Sequence, residues 1–408
     1  MSAAASPTVA SSAAATASTA SSATSPAGPI IALVAGEASG DLLAAHLMAA
    51  IKSRLPNARF VGIGGPRMQA EGFQAWWPSE KLAVFGYVEV LRHYREIAGI
   101  RKQLARRLKV DKPDLFIGVD APDFNFGLEA QLRAAGIPVA HFVSPSIWAW
   151  RGERMAKIKG AVDHMLCLLP FEEAIYRQAG VAATYVGHPM ADVIPLEPDQ
   201  AQARRKLGLP LEGPVVALLP GSRRSELKYL GGRYVATALR LRQTHPQVRF
   251  VVPLASEYTE AQWQACVAAA GAQGGALAWT AAPRDSHSAL AACDIALVAS
   301  GTATLETALF KRPHVIAYRM APLTYQMMRR MAYLPYVGLP NILCGEFIVP
   351  EFLQHEASPE NLAQALGNLL DDGAARARIA ARFSRLHQQL RQGMAQRAAE
   401  AVVGAFFS

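Results

Sequence analysis

Two glycine turns in the carboxyl-terminal half of this chain carry the strongest chemical signal. Val216-Ala-Leu-Leu-Pro-Gly-Ser-Arg-Arg-Ser-Glu226 runs from an apolar strand through a turn into a helix start. Gly221 lets backbone approach a ligand closely. Ser222 and the free N–H groups of the new helix can donate to a phosphate oxygen, and Arg223 can add a bidentate charge-assisted bond. The alternative is Ser225 as a helix cap with the arginines on a solvated surface; two arginines at a glycine turn behind a buried strand favour the anion. The G-x-x-x-x-G-K-[ST] pattern of a P-loop is absent. The second turn, Ala299-Ser-Gly-Thr-Ala-Thr-Leu-Glu306, follows the strand Asp294–Val298. Ser300, Gly301 and Thr302 offer hydroxyl and N–H donors at another helix start. Glu306, one turn on, can accept both hydroxyls of a ribose or merely favour the helix dipole. Two such turns in one α/β half point to a nucleotide diphosphate.

The amino-terminal half offers carboxylates instead. Gly36-Glu-Ala-Ser-Gly-Asp41 lacks G-x-G-x-x-G and places Glu37 and Asp41 where a dinucleotide pyrophosphate would sit, which argues against NAD or FAD. That turn fits sugar hydroxyls or a proton acceptor, although Ser39 or Asp41 could equally cap the following helix. Asp120 directly follows an apolar strand, on the expected ligand side, and is the better general-base candidate for an attacking hydroxyl; Glu37 and His188 stand behind it. Asp123 and Asn125 read as turn and cap residues. Ser144-Pro-Ser-Ile-Trp-Ala-Trp-Arg151 follows the next strand, with tryptophans suited either to stacking on sugars and covering acyl chains or to the core. His188, in Val186-Gly-His-Pro189, is a base or phosphate-contact candidate if it is not structural.

The elements that must position these groups alternate between apolar runs and amphipathic helices. Ile30–Ala35, Arg59–Ile63, Leu115–Val119 and Val139–Val143 read as strands of a first half, with a helix over Leu42–Leu55. Val215–Leu219, Val248–Val252 and Ile295–Val298 read as strands of a second, with helices over Leu227–Thr244, near Thr302–Phe310 and over Glu360–Leu370. Strands apolar throughout and separated by helices predict parallel sheets covered on both faces. The fold class is therefore α/β, two Rossmann-like domains with a cleft between them. Expected boundaries are an Ala/Ser-rich head at 1–28, domains at 29–193 and 194–373, and carboxyl-terminal helices at 374–408 that have the option of returning to the first domain.

Composition sets outer limits. The chain has 408 residues, enough for two cores. No apolar stretch reaches the roughly 20 residues of a membrane span. The net charge of +9 favours acidic partners such as nucleic acid, anionic headgroups or phosphorylated substrates without choosing among them. Four cysteines lack any C-x-x-C spacing, so neither a zinc site nor a disulfide framework is expected, in keeping with a reducing cytoplasm. The head cannot bury a core, is expected to be disordered, and lacks the pattern of a secretory signal. Val84-Phe-Gly-Tyr-Val-Glu-Val-Leu91 precedes a helix carrying Arg92, Arg95, Arg101, Lys102, Arg106 and Arg107. Val84, Phe85, Val88, Val90 and Leu91 beside a cationic face suit an anionic bilayer, or else form an ordinary core-facing stripe.

Taken together, the motifs resemble the lipid-A-disaccharide synthase family from Ile30 to about Leu370. The resemblance rests on Gly36–Asp41, Gly62-Ile-Gly-Gly-Pro66, Phe85–Leu91, Asp120-Ala-Pro-Asp-Phe124, Ser144–Trp150, Leu219-Pro-Gly-Ser-Arg223, Ser300–Glu306 and Leu339-Pro-Asn341, in that order. It implies an inverting two-Rossmann (GT-B) hexosyltransferase. UDP-2,3-diacylglucosamine would donate its sugar to the 6-hydroxyl of 2,3-diacylglucosamine 1-phosphate (lipid X), giving the β-1',6 disaccharide 1-phosphate and UDP. No metal or cofactor is implied, and no nucleic acid. The implied location is cytoplasmic, peripheral to an anionic inner-membrane surface, with room for a homodimer. The motifs bring Gly36, Ser39, Gly40, Asp41, Asp123, Ser144, Trp148, Thr304 and Asn341 in as substrate-contact candidates. By analogy with this architecture, the backbone at Arg319 and Met320 would pair with uracil. Rivals are a peptidoglycan lipid-intermediate N-acetylglucosaminyltransferase, a UDP-sugar 2-epimerase and a non-catalytic nucleotide sensor.

Overall fold

Runs such as Ile-Ile-Ala-Leu-Val-Ala and Val-Val-Ala-Leu-Leu have no polar face to give to water, and each becomes an inner strand of a parallel sheet. The computed structural model describes residues 28–408 apart from 83–86, 150–151, 276, 278 and 332, and no side chain at 80, 87–94 or 323. The expected head, residues 1–28, thus lies outside the described residues except for Gly28.

The first lobe contains strands β1 (Ile30–Ala35), β2 (Arg59–Gly64), β3 (Gln74–Pro78), β4 (Leu115–Val119), β5 (Val139–Phe142), β6 (His164–Cys167) and β7 (Ala182–Tyr185). They pair in parallel in the order β3-β2-β1-β4-β5-β6-β7. The second lobe contains β8 (Val215–Leu219), β9 (Arg249–Leu254), β10 (Trp279–Pro283), β11 (Ile295–Ala299), β12 (His314–Tyr318) and β13 (Glu351–Leu353), in the parallel order β10-β9-β8-β11-β12-β13. In each sheet the order reverses beside the first strand, between β1 and β4 and between β8 and β11. Helices leave opposite faces of the sheet at such a point, opening a crevice at the carboxyl ends of the strands.

Alternate residues of one strand feed separate cores. Leu33 and Ala35 pack with the helix Ala38–Lys52, while Ala32 and Val34 pack with Ile100 and Leu104 of the helix Tyr87–Asp111. The helix Gly373–Leu390 buries Phe383, Leu386 and Leu390 in the second lobe. The last helix, Met394–Phe406, crosses back and buries Met394, Ala398, Ala399 and Val402 in the first. Asp192 fastens this return by accepting the amides of Gly393 at 3.0 Å and Met394 at 2.6 Å. Elsewhere, Tyr333 N donates to Ala149 O at 3.0 Å, so a loop beyond β5 touches a segment beyond β12. That bond brings the carboxyl-end loops of the two sheets to the same interlobe region.

The helices expected at Leu42 and Leu227 begin earlier, at Ala38 and Arg224, because Glu37 and Arg223 take extended cap conformations. Val143, expected in a strand, has φ 82° and lies beyond the end of β5. No helix among the described residues is long and apolar enough to cross a membrane.

Candidate functional site

The crevice between β8 and β11 holds a cavity of about 670 Å³. Its walls include Gly221, Ser222, Arg223, Ser300, Gly301, Thr302 and Glu306, so most candidates of the two glycine turns meet there. The helix Thr302–Leu309 starts at this cavity without a side-chain cap on its first amides, which leaves its positive end free for an anion. Thr304 is buried instead, with Oγ1 donating to Gly301 O at 2.8 Å; its hydroxyl closes its own turn and does not serve a ligand. Glu306 Oε1 accepts from Ser286 Oγ at 2.9 Å and lies 2.9 Å from His287 Nε2. The hydrogen bond to Glu306 raises the His287 pKa. Nothing in the sequence pointed to Ser286 or His287, which meet Glu306 from 20 and 19 positions away.

The turn after β8 departs from expectation. Its amides at Ser222 and Arg223 both donate to Glu226 Oε2, at 2.9 and 3.1 Å, and Arg223 Nη1 donates to Glu226 Oε1 at 3.1 Å. The expected main-chain cradle is thus closed by the protein's own carboxylate. The Arg223 side chain remains 80% exposed. Arg319 and Met320 do not line the cavity. Arg319 Nη1 donates to Gln354 O at 3.1 Å, beyond the end of β12. The wall further includes Pro253–Ala255 and Arg284–Ser286.

The crevice between β1 and β4 holds a second cavity, of about 360 Å³, lined by Glu37, Arg101, Asp120 and Asp123 among others. Asp120 and Ala121 take consecutive left-handed conformations, φ 52° and 44°. Asn125 Nδ2 donates to Asp120 O at 2.8 Å. Asp123 is largely exposed and pairs with Arg154 at 3.0 Å, so it is a surface ion-pair partner and not the cap expected of it.

Other candidates serve the scaffold. Asp41 is buried and accepts the amides of Gly65, Arg67 and Met68 at 2.9, 3.0 and 3.1 Å, capping the helix Pro66–Ala70, and it lines neither cavity. This explains Gly62-Ile-Gly-Gly-Pro66: a Cβ on Gly65 would lie 2.6 Å from Asp41 Oδ2, and one on Gly62, at φ +134°, would lie 2.2 Å from Leu33 O. Gly36 and Gly40 are buried against neighbouring elements, while Ser39 is exposed on the first turn. His188 caps the helix Pro189–Val193, its Nδ1 accepting Met190 N at 3.3 Å, and burial lowers its pKa to about 4. It belongs to the crossover between lobes and lines neither cavity. Ser144 Oγ lies 2.9 Å from Tyr176 Oη, and Trp148 Nε1 donates to the buried Glu172 at 3.0 Å. Asn341 has no exposed surface: Oδ1 accepts Ile348 N and Val349 N, and Nδ2 donates to Val349 O and Glu351 Oε1. It braces a loop and lines neither cavity.

Val84 and Phe85, and the side chains of Val88, Val90 and Leu91, lie outside the described residues; the helix itself begins at Tyr87. Of its cationic residues, Arg107 stacks 3.7 Å from the Trp76 ring and pairs with Asp111, and Arg101 lines the Asp120 cavity. The basic face is therefore partly committed to the protein.

The family model described as lipid-A-disaccharide synthetase matches residues 31–406. The chain is 56% identical to the lipid-A-disaccharide synthase of Aromatoleum aromaticum, over 91% of this chain and 95% of that one. It is 55% identical to that of Dechloromonas aromatica, over 91% and 97%. Among solved structures, the UDP-GlcNAc 2-epimerase of Neisseria meningitidis bound to UDP-GlcNAc superposes with TM-score 0.58 at 12% identity, over 93% of this chain and 99% of that one. Acinetobacter baumannii MurG superposes with TM-score 0.55 at 16% identity, again over 93% and 99%. At those identities the two structures share the fold alone.

Proposed function

Because this chain belongs to the lipid-A-disaccharide synthase family, we propose that its two lobes divide one glycosyl transfer between them. The enzyme is an inverting hexosyltransferase: 2,3-diacylglucosamine passes from UDP-2,3-diacylglucosamine to the 6-hydroxyl of 2,3-diacylglucosamine 1-phosphate, and UDP leaves. The rival activities rest on likenesses of 12% and 16% identity, against 55–56% over nine-tenths of the chain for the synthases.

The observation that carries the division of labour is the contrast between the two crevices. One presents Arg223, 80% exposed, and the uncapped amino end of the helix Thr302–Leu309, beside Arg284, Glu226, Asp285 and Glu306; the other presents Glu37, Asp120 and Asp123 with Arg101 as the single cation among the described residues of its lining. In the second lobe, Arg223 and the Ser300–Thr302 turn receive the diphosphate, and Glu306, oriented by Ser286 and His287, receives the ribose. In the first lobe, Asp120 takes the proton of the acceptor hydroxyl. That oxygen forms its bond to the anomeric carbon on the face opposite UDP. The bond from that carbon to the diphosphate breaks, its electron pair stays on the leaving oxygen, and the α-linked donor gives a β product. Fixed positive charge aimed at the departing diphosphate is an electrostatic contribution of the kind usually largest in catalysis, and it supports transfer without a metal.

Docking at an anionic membrane surface through Val84–Leu91 is supported by the apolar sequence and the adjoining basic helix.

The reading is tested by mixing donor with the acylated acceptor, with a deacylated acceptor or with none. UDP release that requires the acylated sugar phosphate supports transfer. Equal release without an acceptor identifies a hydrolase, and conversion of the donor to another UDP-sugar without UDP release identifies an epimerase.

A further inference from the structure

The floor beneath Asp120 contains a group of polar side chains that neither cavity uses. Asn125, Glu129 and His141 all have zero exposure. Glu129 Oε1 lies 2.7 Å from His141 Nδ1. Gly118 stands two residues before Asp120 on β4 and faces His141 on β5 in register. A Cβ at Gly118 would lie 2.0 Å from Glu129 Oε1 and 3.1 Å from Asn125 Cβ, so the strand gives up a side chain to admit the acid and the amide.

This arrangement is a poor stabilising device. A buried acid–imidazole pair gives back little more than its desolvation, and apolar packing of equal volume usually does as well. Asn125 Oδ1, Glu129 Oε2 and His141 Nε2 also find no protein partner, which adds a cost for each. What the group does hold is the backbone of the base. Two successive non-glycine residues in the left-handed region are unfavourable and persist only when their surroundings impose them. The Asn125 side chain holds the first of them: Nδ2 donates to Asp120 O at 2.8 Å, while the backbone N–H groups of Phe124 and Asn125 donate to Ala121 O at 3.0 Å as the helix begins. Glu129, one turn further along the same helix and held by His141, converges with Asn125 on the space that Gly118 leaves open.

We propose that Asn125, Glu129 and His141 are positioning residues for the glycosyl transfer, a buried polar unit that fixes the direction in which the Asp120 carboxylate points. The inference rests on Asp120 being the base. It assigns to three residues outside the substrate cavities a part in turnover and none in binding.

The test is a mutant cycle on the full chain, with kcat and KM measured for both acylated substrates, UDP affinity by calorimetry and thermal midpoints as the control for folding. Asn125→Ala and Glu129→Gln are each expected to lower kcat by roughly 10- to 100-fold, the range that small misplacement of a reacting group produces. Both KM values and UDP affinity stay unchanged. Adding Asn125→Ala to Asp120→Asn lowers kcat no further than Asp120→Asn alone. Glu129→Gln keeps size and shape and decides the matter if Asn125→Ala does not fold. Near-normal kcat in the folded variants, parallel losses of UDP affinity, or multiplying effects in the double variant overturn the proposal while leaving Asp120 as the base. Near-normal turnover in Asp120→Asn alone removes the base itself, a distinguishable failure.

Discussion

Glu226 holds Arg223 at both ends: Oε1 lies 3.1 Å from its Nη1, and Oε2 accepts its backbone N–H, also at 3.1 Å. A carboxylate therefore closes the turn that a strand-glycine-helix sequence offers to phosphate. The guanidinium can still exchange Glu226 for a ligand, because most of its surface faces solvent. Arg223→Ala is expected to weaken UDP binding about 10- to 100-fold, the worth of one or two charge-assisted bonds to a diphosphate. The thermal midpoint should barely move, since an exposed pair three positions apart contributes about 0–1 kcal/mol. Calorimetric titration with UDP checks the first statement and thermal denaturation the second. Unchanged affinity would remove Arg223 from the site.

Glu172 supplies a pH signature. Burial raises its carboxyl from the usual 4.5 to about 7, although Leu169 N and Trp148 Nε1 both donate to it. Between those two values the folded chain keeps a proton that the unfolded chain has lost, so this group's contribution to stability falls as pH rises through that window. The thermal midpoint of Glu172→Gln should therefore fall less than that of the unsubstituted protein between about pH 5 and pH 8. Parallel curves would mean that Glu172 does not titrate there.

Val88→Ser with Leu91→Ser is expected to move the protein from the membrane fraction to the soluble fraction and to weaken sedimentation with vesicles containing anionic lipid. Turnover on detergent-dispersed substrates should persist. Undiminished association with both vesicles and membranes would exclude this segment as the docking surface.

Much of the fold is legible in the chain because inner strands of a parallel sheet must be apolar on both faces. β1, β4, β8 and β11 each show an uninterrupted apolar run that ends in a chemically suggestive turn, and those four strands flank the two switch points. The short strands β6, β7 and β13 escape such reading; three or four residues carry no period, and His164 and Glu351 interrupt the apolar signal. Side-chain duties were harder to see than strand positions. Asp41 looks like a ligand-facing carboxylate until Gly65–Met68, 24 or more residues later, turn their amides onto it. Asn341 sits in a motif that invites an active-site role, yet its four side-chain bonds go to Ile348, Val349 and Glu351, 7–10 residues on, and close a buried loop. Glu129 and His141 give no local sign at all, because their meaning arises only when β5 pairs with β4.

Asp120 is the group proposed to take the acceptor proton while the other lobe keeps UDP, and the transfer depends on it. Its most direct test measures turnover and UDP affinity together in Asp120→Asn, a change that preserves shape and removes the basic oxygen. Turnover lower by about 100-fold or more with UDP affinity unaltered is the predicted result, matching the usual loss of a general base. Near-normal turnover in a folded, UDP-binding variant would contradict it and transfer the role to Glu37, a second carboxylate at that crevice.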